Sequence, residues 1–249
     1  MKATVIAGIV TGVSGAKKVS RKKCVAIIVD VLRACTTVST LIVNGAKEVV
    51  SVNSNLKSFT RLRKMNPNAV FVGEKNRLKI PGANLTNSPW MCVKKRALYK
   101  NRRVFFSSTD FSRVLECFNK NEDHTVFLGC IVNAKSVSQK SFDLAERLKK
   151  NIYFVKCGDP EDRKGRVDAI GCAIIARYLE RLNCKLTPEL QRTINRIHGK
   201  SILDLISKSK PAKILKDLGY FEDVRISCEI DKFSVVPSLF NGVIMDYPS

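Results

Sequence analysis

Short apolar runs alternate with amphipathic stretches along the chain, and the clearest example is Cys24–Gly45. It starts with the run CVAIIV, whose length and β-branched residues are typical of a strand covered on both faces. Asp30 and Arg33 follow, and the apolar positions then recur every three or four residues until Asn44 and Gly45 provide a helix stop. An acid and a base are therefore predicted where a buried strand gives way to a helix.

The same alternation recurs through the rest of the chain and predicts an α/β protein with a mainly parallel sheet. Ser88-Pro89 and Thr187-Pro188 have the form of helix N-caps followed by proline at the first helical position. The 249 residues are enough for a single domain, 1–249, with two interlocked lobes as the alternative. The predicted strands are Ala3–Ala7, Cys24–Val29, Glu48–Val52, Ala69–Val72, Arg103–Ser107, Thr125–Gly129, Asn151–Cys157 and Phe233–Val236.

The chain is strongly basic, with 44 Lys and Arg against 22 Asp and Glu and a formal net charge of +22. Such a charge attracts nucleic acid, anionic lipid or small phosphorylated substrates. Basic residues cluster at Lys17–Lys23 and Lys94–Arg103, and a solvated surface explains these clusters equally well. Because no aromatic-plus-basic recognition signature accompanies them, a nucleic-acid-binding protein is the alternative and a small anionic substrate the main expectation.

Cysteine and histidine usage limits the classes of site. The nine cysteines contain no C-x-x-C pair, and several lie inside apolar runs, so neither a disulfide framework nor a zinc finger is indicated. Only two histidines are present, which argues against a His-based metal cage or a Ser-His-Asp triad. With no apolar run of membrane-spanning length, we expect a cytoplasmic protein without a membrane anchor.

Polar residues follow most of the predicted strands. Because the carboxyl ends of parallel strands share one edge of a sheet, we expect these residues to converge. Acidic and amide oxygens suit Mg²⁺, while Arg33, Lys79, Ser88 and Thr109 supply donors for an anion, a combination that indicates phosphoryl chemistry. The alternative, that these residues only cap helices, stays open. The residues after the strands are Asp30, Glu74, Ser108-Thr109-Asp110, Asn133 and Asp159.

One stretch carries a resemblance to a known family. Asp30-Val31-Leu32-Arg33-Ala34-Cys35-Thr36-Thr37 resembles the D-V-L-R-A-T-T signature of the 2-phosphosulfolactate phosphatases, the ComB-like proteins. Further segments fit the family in the same order, so the resemblance covers nearly the whole chain. They are Asn44-Gly45-Ala46, Gly73-Glu74, Lys79-Ile80-Pro81-Gly82, Asn87-Ser88-Pro89, Asn133-Ala134, Asp168-Ala169, Asp231 and Val235-Val236-Pro237.

The resemblance implies a three-layer α/β/α fold and a Mg²⁺-dependent phosphatase, expected as a homodimer. Its reaction would convert 2-phospho-3-sulfolactate to 3-sulfolactate and phosphate, a step towards coenzyme M. On this resemblance we assign roles by residue. The catalytic residues are Asp30, Arg33 and Glu74; the substrate-binding residues are Arg33, Lys79, Asn87, Ser88, Thr109 and Asn133; the metal-binding residues are Asp30, Glu74 and Asp168.

The sequence departs from the family pattern at several turns. A Glu-Arg-Gly-Gly-like turn is Glu74-Lys75-Asn76-Arg77 here, and a T-T-N-G-T turn contains Asp110 and Phe111. The family's Glu-Asp pair is Val167-Asp168, so one carboxylate is gone. These changes leave two alternatives: a phosphatase of another small phosphorylated hydroxy acid, and an inactive homologue.

Two covalent mechanisms are less favoured. An aspartyl-phosphate enzyme requires a second Asp two residues after Asp30, where this chain has Leu32. A cysteine phosphatase requires C-x5-R, and Cys157 and Arg163 have that spacing. The loop between them is acidic, however, which opposes both phosphate binding and a low thiolate pKa.

Overall fold

The computed structural model describes residues 4–52, 56–119, 125–158, 162 and 164–248, with only the backbone described for 56–58. Eleven strands of this part of the chain form one sheet. They are β1 Ile6–Thr11, β2 Cys24–Val29, β3 Glu48–Ser51, β4 Val70–Lys75, β5 Leu78–Lys79, β6 Arg103–Ser107, β7 Thr125–Gly129, β8 Asn151–Lys156, β9 Lys185–Leu186, β10 Pro237–Phe240 and β11 Val243–Asp246.

Helices connect most of these strands, as the sequence pattern predicts. Two 3₁₀ turns, at Arg96–Leu98 and Ile131–Asn133, complete the described elements. The helices are α1 Gly12–Val19, α2 Ala34–Val43, α3 Leu56–Met65, α4 Pro89–Lys94, α5 Phe111–Glu116, α6 Ala134–Leu148, α7 Arg166–Arg181, α8 Pro188–Ile197, α9 Ile202–Ser207, α10 Lys210–Asp217 and α11 Phe221–Ser227.

The sheet consists of two parallel groups joined by an antiparallel hairpin. Its order is β5-β4-β6-β3-β11-β10-β7-β2-β8-β1-β9. Strands β3, β4 and β6 pair in parallel, as do β1, β2, β7, β8 and β9. The β10–β11 hairpin lies between them and pairs antiparallel with β7 on one side and β3 on the other. A mainly parallel α/β sheet is thus confirmed.

Strand β2 shows how the layers are built, because all six of its residues are buried. Val25, Ile27 and Val29 pack in one hydrophobic core with α6, α7, α8 and the later helices. Ala26 and Ile28 point to the other face and pack with α1, α2, α4 and α5. Side chains that alternate between two apolar cores require helices on both faces. The predicted three-layer α/β/α fold is therefore confirmed.

The chain ends show where the prediction was wrong. The expected strand Phe233–Val236 is not a strand; Val235 and Val236 are buried but outside the ladder, and the strand begins at Pro237. Proline is tolerated as the first residue of a strand because its missing N–H is not needed there. At the other end, β1 starts at Ile6 and continues to Thr11. Ala3, the predicted first residue, lies outside the described residues.

The ends of the parallel strands prepare the site. Strand β2 ends directly before Asp30, and β4 carries Glu74 next to its last residue. Ser108 follows β6, and Gly158 lies two residues beyond β8. Each of these positions lies at the carboxyl end of its own strand, which is where ligands bind in open α/β folds. The two parallel groups run in opposite directions, since three antiparallel pairings separate them. In the described part of the chain, no helix has the length and apolar character needed to cross a bilayer.

Candidate active site

Asp30 and Glu74 line the same pocket, and each lies at the carboxyl end of its strand. Asp30 comes from the parallel group that contains β2, and Glu74 comes from the group that contains β4. The pocket therefore lies across the two halves of the sheet. Its lining residues are Asp30, Leu32, Arg33, Glu74, Asn76, Arg77, Asn87, Ser108, Thr109, Asp110, Gly158 and Leu215.

Asp30 is positioned by the start of α2. Its Oδ1 accepts a hydrogen bond of 3.0 Å from the Ala34 amide, and its backbone carbonyl accepts one from Cys35. A carboxylate in this position satisfies amides that the first helical turn leaves unpaired and is stabilised by the helix dipole. The side chain is buried yet lines the pocket. Helix capping and a role at the pocket are therefore compatible for this residue.

Glu74 is held by the turn that follows it and by the end of β6. Its Oε1 accepts hydrogen bonds from the Ser108 hydroxyl at 3.1 Å and from the Thr109 amide at 2.8 Å. The Thr109 hydroxyl is 3.2 Å from the same oxygen, and the Arg77 amide donates to Oε2 at 2.6 Å. Because both of its oxygens accept hydrogen bonds, this buried carboxylate joins the turn after Glu74 to the end of β6.

Arg33 is fixed by a buried acid from the far end of the chain. Its Nη1 lies 2.8 Å from Oδ2 of Asp223, and both side chains are almost fully buried. The guanidinium stacks 4.7 Å from the ring centroid of Tyr220, and Nη2 lies 3.5 Å from the Arg77 carbonyl. Arginine has five N–H donors, so these contacts leave donors for an anion in the pocket.

The second oxygen of Asp223 binds the start of α4. The Ser88 hydroxyl donates to Oδ1 at 2.6 Å, and the Trp90 amide donates to the same atom at 3.1 Å. Ser88 also accepts from the Met91 amide, which confirms it as the N-cap of α4. Ser88 does not line the pocket. Its effect on the pocket is indirect, because Ser88 binds Asp223, and Asp223 binds Arg33.

Asn87 is the pocket residue with an unused polar atom. Its side chain is buried, and its Oδ1 has no hydrogen-bond partner in the described part of the chain. The preceding Thr86 hydroxyl is buried and unpaired as well. Buried polar atoms are paired in the great majority of cases, so an orphan beside a cavity points to a ligand.

Asp168 supports the loop that carries Asp30 without lining that pocket. It lies in the first turn of α7, and its Oδ1 accepts a hydrogen bond of 3.0 Å from the Val31 amide. Its Oδ2 accepts one of 2.9 Å from the Gly158 amide. The carboxylate thus connects the segments that follow β2 and β8. It lines a small neighbouring cavity that shares Leu32 and Gly158 with the pocket.

The structure separates the remaining predicted site residues from the pocket. Lys79 is exposed on β5, where it pairs with Glu74 through the backbone. Asn133 is fully buried, and its amide bonds the backbone of Cys130, Leu128 and Val235, which is a structural role. Asp159 lies outside the described residues. The predicted residues that do meet in the pocket are Asp30, Arg33, Glu74, Asn87, Ser108, Thr109 and Asp110.

The thiols near the pocket are poor nucleophiles. Burial raises the pKa of Cys157 well above its ordinary value, and the charge of Asp30 raises it further. The same two causes raise the pKa of Cys35. A thiol with a raised pKa stays protonated at neutral pH, whereas a cysteine phosphatase requires the thiolate. Arg163, the partner that the C-x5-R spacing would require, lies outside the described residues.

Sequence reasoning missed three residues of the site. Arg77 lines the pocket and has a positive φ of 67°, in the turn where the family pattern has glycine. That turn was a usable signal. Asp223 on α11 and Leu215 on α10 carried none, because their distance from Asp30 in sequence hides a contact made only by folding.

A mainly parallel α/β fold that gathers carboxylates and arginines at the carboxyl ends of its strands is typical of proteins that handle small anions such as phosphate esters. The chain belongs to the 2-phosphosulpholactate phosphatase family, whose model matches residues 13–242.

Individual relatives agree with the family match. The chain is 32% identical to the 2-phosphosulfolactate phosphatase of Methanocaldococcus jannaschii, over 81% of this chain and 84% of the relative. It is 28% identical to the probable 2-phosphosulfolactate phosphatase of Caldanaerobacter subterraneus subsp. tengcongensis, over 88% of each chain. A probable 2-phosphosulfolactate phosphatase of Clostridium tetani is 25% identical, over 88% of this chain and 90% of the relative.

Proposed function

We propose that this protein is a phosphatase that hydrolyses 2-phospho-3-sulfolactate to 3-sulfolactate and phosphate, a step towards coenzyme M. Membership of the family supports the activity, and the relatives' names supply the substrate. The observation that carries the proposal for this chain is the shared pocket of Asp30 and Glu74, with Arg33 and Arg77 in its wall. A net charge of +22 suits a substrate that carries phosphate, carboxylate and sulfonate groups.

The residues of this pocket fit a Mg²⁺ ion of low protein coordination. No cluster of three His, Cys, Asp or Glu side chains suited to a metal occurs among the described residues. Mg²⁺ commonly uses one or two carboxylates, waters and substrate phosphate instead. Asp30 and the orphan Oδ1 of Asn87 would hold it, directly or through water, with Glu74 and Asp168 orienting their loops. The bound ion would supply positive charge against the charge that develops on the phosphoryl oxygens.

In this proposal the arginines bind the anionic groups of the substrate. Arg33 approaches the pocket already oriented by Asp223 and Tyr220, so little side-chain entropy is lost when it grips a phosphate or sulfonate. The Thr109 hydroxyl lies beside Glu74 in the pocket lining and would be a further hydrogen-bonding group for the anion. Lys79, which is exposed on β5 outside the pocket lining, contributes long-range attraction. Removing one donor aimed at developing charge costs about 2.7–4 kcal/mol in the barrier.

The pocket must widen to admit a whole substrate. Its volume is about 40 Å³, far below the roughly 300–1,000 Å³ of small-molecule sites. A three-carbon acid that carries phosphate and sulfonate groups needs more space than this. We therefore propose that side chains of the lining move when the substrate binds, as arginine and leucine side chains readily do by changing rotamer.

The setting of the enzyme follows from the same proposal. All nine cysteines are free, as expected in a reducing cytoplasm. The partner is a small phosphorylated acid rather than nucleic acid, and two copies of the chain form a homodimer.

The test measures phosphate release from 2-phospho-3-sulfolactate and a panel of phosphorylated hydroxy acids, with and without Mg²⁺. We expect Mg²⁺-dependent turnover that falls roughly 10²–10³-fold in Asp30→Asn, whose amide oxygen still accepts from Ala34. Asp143→Asn, at an exposed acid of α6, is the control and should leave the rate unchanged. An unaltered rate in Asp30→Asn would remove Asp30 from the mechanism. If another phosphate ester is hydrolysed faster, that ester is the better candidate for the substrate. If no ester is hydrolysed, the protein is an inactive homologue.

A further inference from the structure

A larger cleft lies at the carboxyl ends of β1 and β8. Its volume is about 1020 Å³, and it shares no lining residue with the pocket of Asp30. Thr11 at the end of β1 and Lys156 at the end of β8 form its floor, and α7, α8 and α9 supply other lining residues. Six basic residues line it, against one acid, Glu189. They are Lys156, Lys164, Arg166, Arg192, Arg196 and Lys200.

Lys156 is the inner cation of this cleft. Its side chain is buried, with only 6% of the residue exposed, and its Nζ donates to the Lys164 carbonyl at 3.0 Å. An ammonium group has three donors. Within the described residues no carboxylate pairs with Nζ, so a buried positive charge faces the cleft with donors to spare. Burying a charge without an opposite charge is costly, and a bound anion would remove that cost.

The outer cations come from one side of α8 and the turn after it. Arg192 and Arg196 are one helical turn apart, with Lys200 just beyond. In the described part of the chain none of the three forms an ion pair. Like charges at this helical spacing repel each other by about 0.2–0.5 kcal/mol per pair, a repulsion that a bound anion would relieve. Arg166, opposite, is paired with Asp162 at 3.1 Å.

The cleft also has an apolar wall. Ile170 of α7, Ile197 of α8 and Leu205 of α9 line it between the cations. Inorganic phosphate would leave this wall exposed to water. A ligand with several negative charges and a flat or bulky apolar part would use both the cations and the wall.

We propose that this cleft binds an organic polyphosphate of the nucleoside triphosphate class. The phosphates would lie among Lys156, Arg192 and Arg196, and the base would lie on the apolar wall. The volume is at the upper end of the range for small-molecule sites, about 300–1,000 Å³. A concave cleft suits a compact polyanion better than a nucleic-acid duplex, which needs a long basic track. The site is separate from the proposed catalytic pocket and does not depend on it.

The test is calorimetric titration of the full chain with ATP, ADP, AMP and inorganic tripolyphosphate at fixed salt. We expect affinity to rise with the number of phosphates and tripolyphosphate to bind more weakly than ATP, because it cannot use the apolar wall. Arg192→Glu with Arg196→Glu should weaken ATP binding at least about tenfold and leave phosphatase activity unchanged. Lys156→Met should weaken ATP binding similarly. Because Lys156 is buried, this substitution can impair folding, and the double variant of the exposed arginines then provides the test.

The control separates this cleft from the general positive field. Lys17→Glu with Lys18→Glu makes the same change in net charge on α1, which packs on the opposite face of the sheet. ATP binding should be unchanged in this variant. Equal losses in both double variants would show a non-specific charge effect and overturn the proposal. If tripolyphosphate binds as tightly as ATP, the apolar wall does not contact a base, and the proposal of an organic polyphosphate is wrong. A single-stranded oligonucleotide that binds more tightly than ATP, with a steep dependence on salt, would assign the surface to nucleic acid instead.

Discussion

Arg33 and Asp223 form a buried ion pair although they are 190 residues apart in sequence. Arg33 follows the loop at the end of β2, and Asp223 lies on α11, one of the last helices. The same carboxylate accepts hydrogen bonds from Ser88 and Trp90 at the start of α4. One acid therefore fixes the pocket arginine and the N-terminus of a helix together, and the orientation of Arg33 depends on a residue that the family signature does not contain.

We predict that Asp223→Asn reduces both stability and turnover. The asparagine has the same shape but no charge, so the guanidinium of Arg33 would remain buried without a counter-charge. Removing one partner of a buried pair costs about 3–5 kcal/mol. Chemical denaturation should show a lower free energy of unfolding, and phosphatase assays should show a lower kcat.

Glu222 provides the matched control for this prediction. It is adjacent in sequence, and its ion pair with Arg225 is exposed to solvent. Exposed pairs contribute about 0–1 kcal/mol, so Glu222→Gln should change neither measurement appreciably. If Asp223→Asn behaves like Glu222→Gln, the pair does not orient Arg33 for catalysis.

Asn87→Leu should have opposite effects on stability and activity. The leucine removes an amide whose Oδ1 is buried and unpaired, and leaving such an atom unpaired costs about 1–3 kcal/mol. We expect a higher melting temperature together with weaker dependence of the rate on Mg²⁺ and a lower kcat. Thr86→Val, which removes the neighbouring unpaired hydroxyl outside the pocket, should raise the melting temperature while the rate is retained. A fully active Asn87→Leu variant would exclude this amide from the site.

Gly171→Ala should destabilise the fold next to the pocket. A Cβ at this position would lie 2.6 Å from Cγ2 of Val31, the residue after Asp30, and 3.2 Å from Val29. Forcing an extra methyl into such a contact costs about 1–3 kcal/mol, which urea denaturation would detect. Gly8→Ala is the control, since its Cβ would meet Tyr153 at 3.4 Å, an ordinary contact. Equal stability of the two variants would mean that α7 and the Asp30 loop are not closely packed.

Alkylation of cysteine should not affect the reaction at neutral pH. Burial, with the charge of Asp30, raises the pKa of Cys157, so its thiol is protonated at pH 7 and unreactive. We expect Cys157→Ala to retain activity and iodoacetamide to leave the wild-type rate unchanged. Loss of activity that the substrate prevents would instead indicate a cysteine nucleophile.

The sequence was sufficient for the parts of the fold that local physics determines. Strand β2 was predicted with the correct limits because a continuous β-branched run has few alternatives. Ser88-Pro89 was predicted as a cap for the same local reason. Asp30 and Glu74 were predicted to meet, and they do line one pocket. The reason is not the predicted one, because β2 and β4 lie in parallel groups that run in opposite directions, with three antiparallel pairings between them.

The features that were predicted wrongly or missed depend on contacts between residues distant in sequence, or on one turn that the prediction overlooked. Asn241 and Gly242 have φ values of 48° and 80°, the conformation of a tight hairpin turn. Asn-Gly is a strong hairpin signal, and giving it weight would have replaced Phe233–Val236 by the observed β10–β11 pair. No comparable signal exists for Asp223 or Leu215, because nothing in their local sequence indicates which loop they contact.

The β10–β11 hairpin completes the sheet out of chain order. Residues 237–246 follow every other described strand in sequence, yet they occupy the middle of the sheet, between β7 and β3. Each parallel group can therefore pair before the hairpin emerges from the ribosome. Asp30 belongs to one group and Glu74 to the other, and among the described strands only this hairpin joins the two groups by backbone pairing. We expect the continuous sheet beneath the pocket to form only after the hairpin has been synthesised.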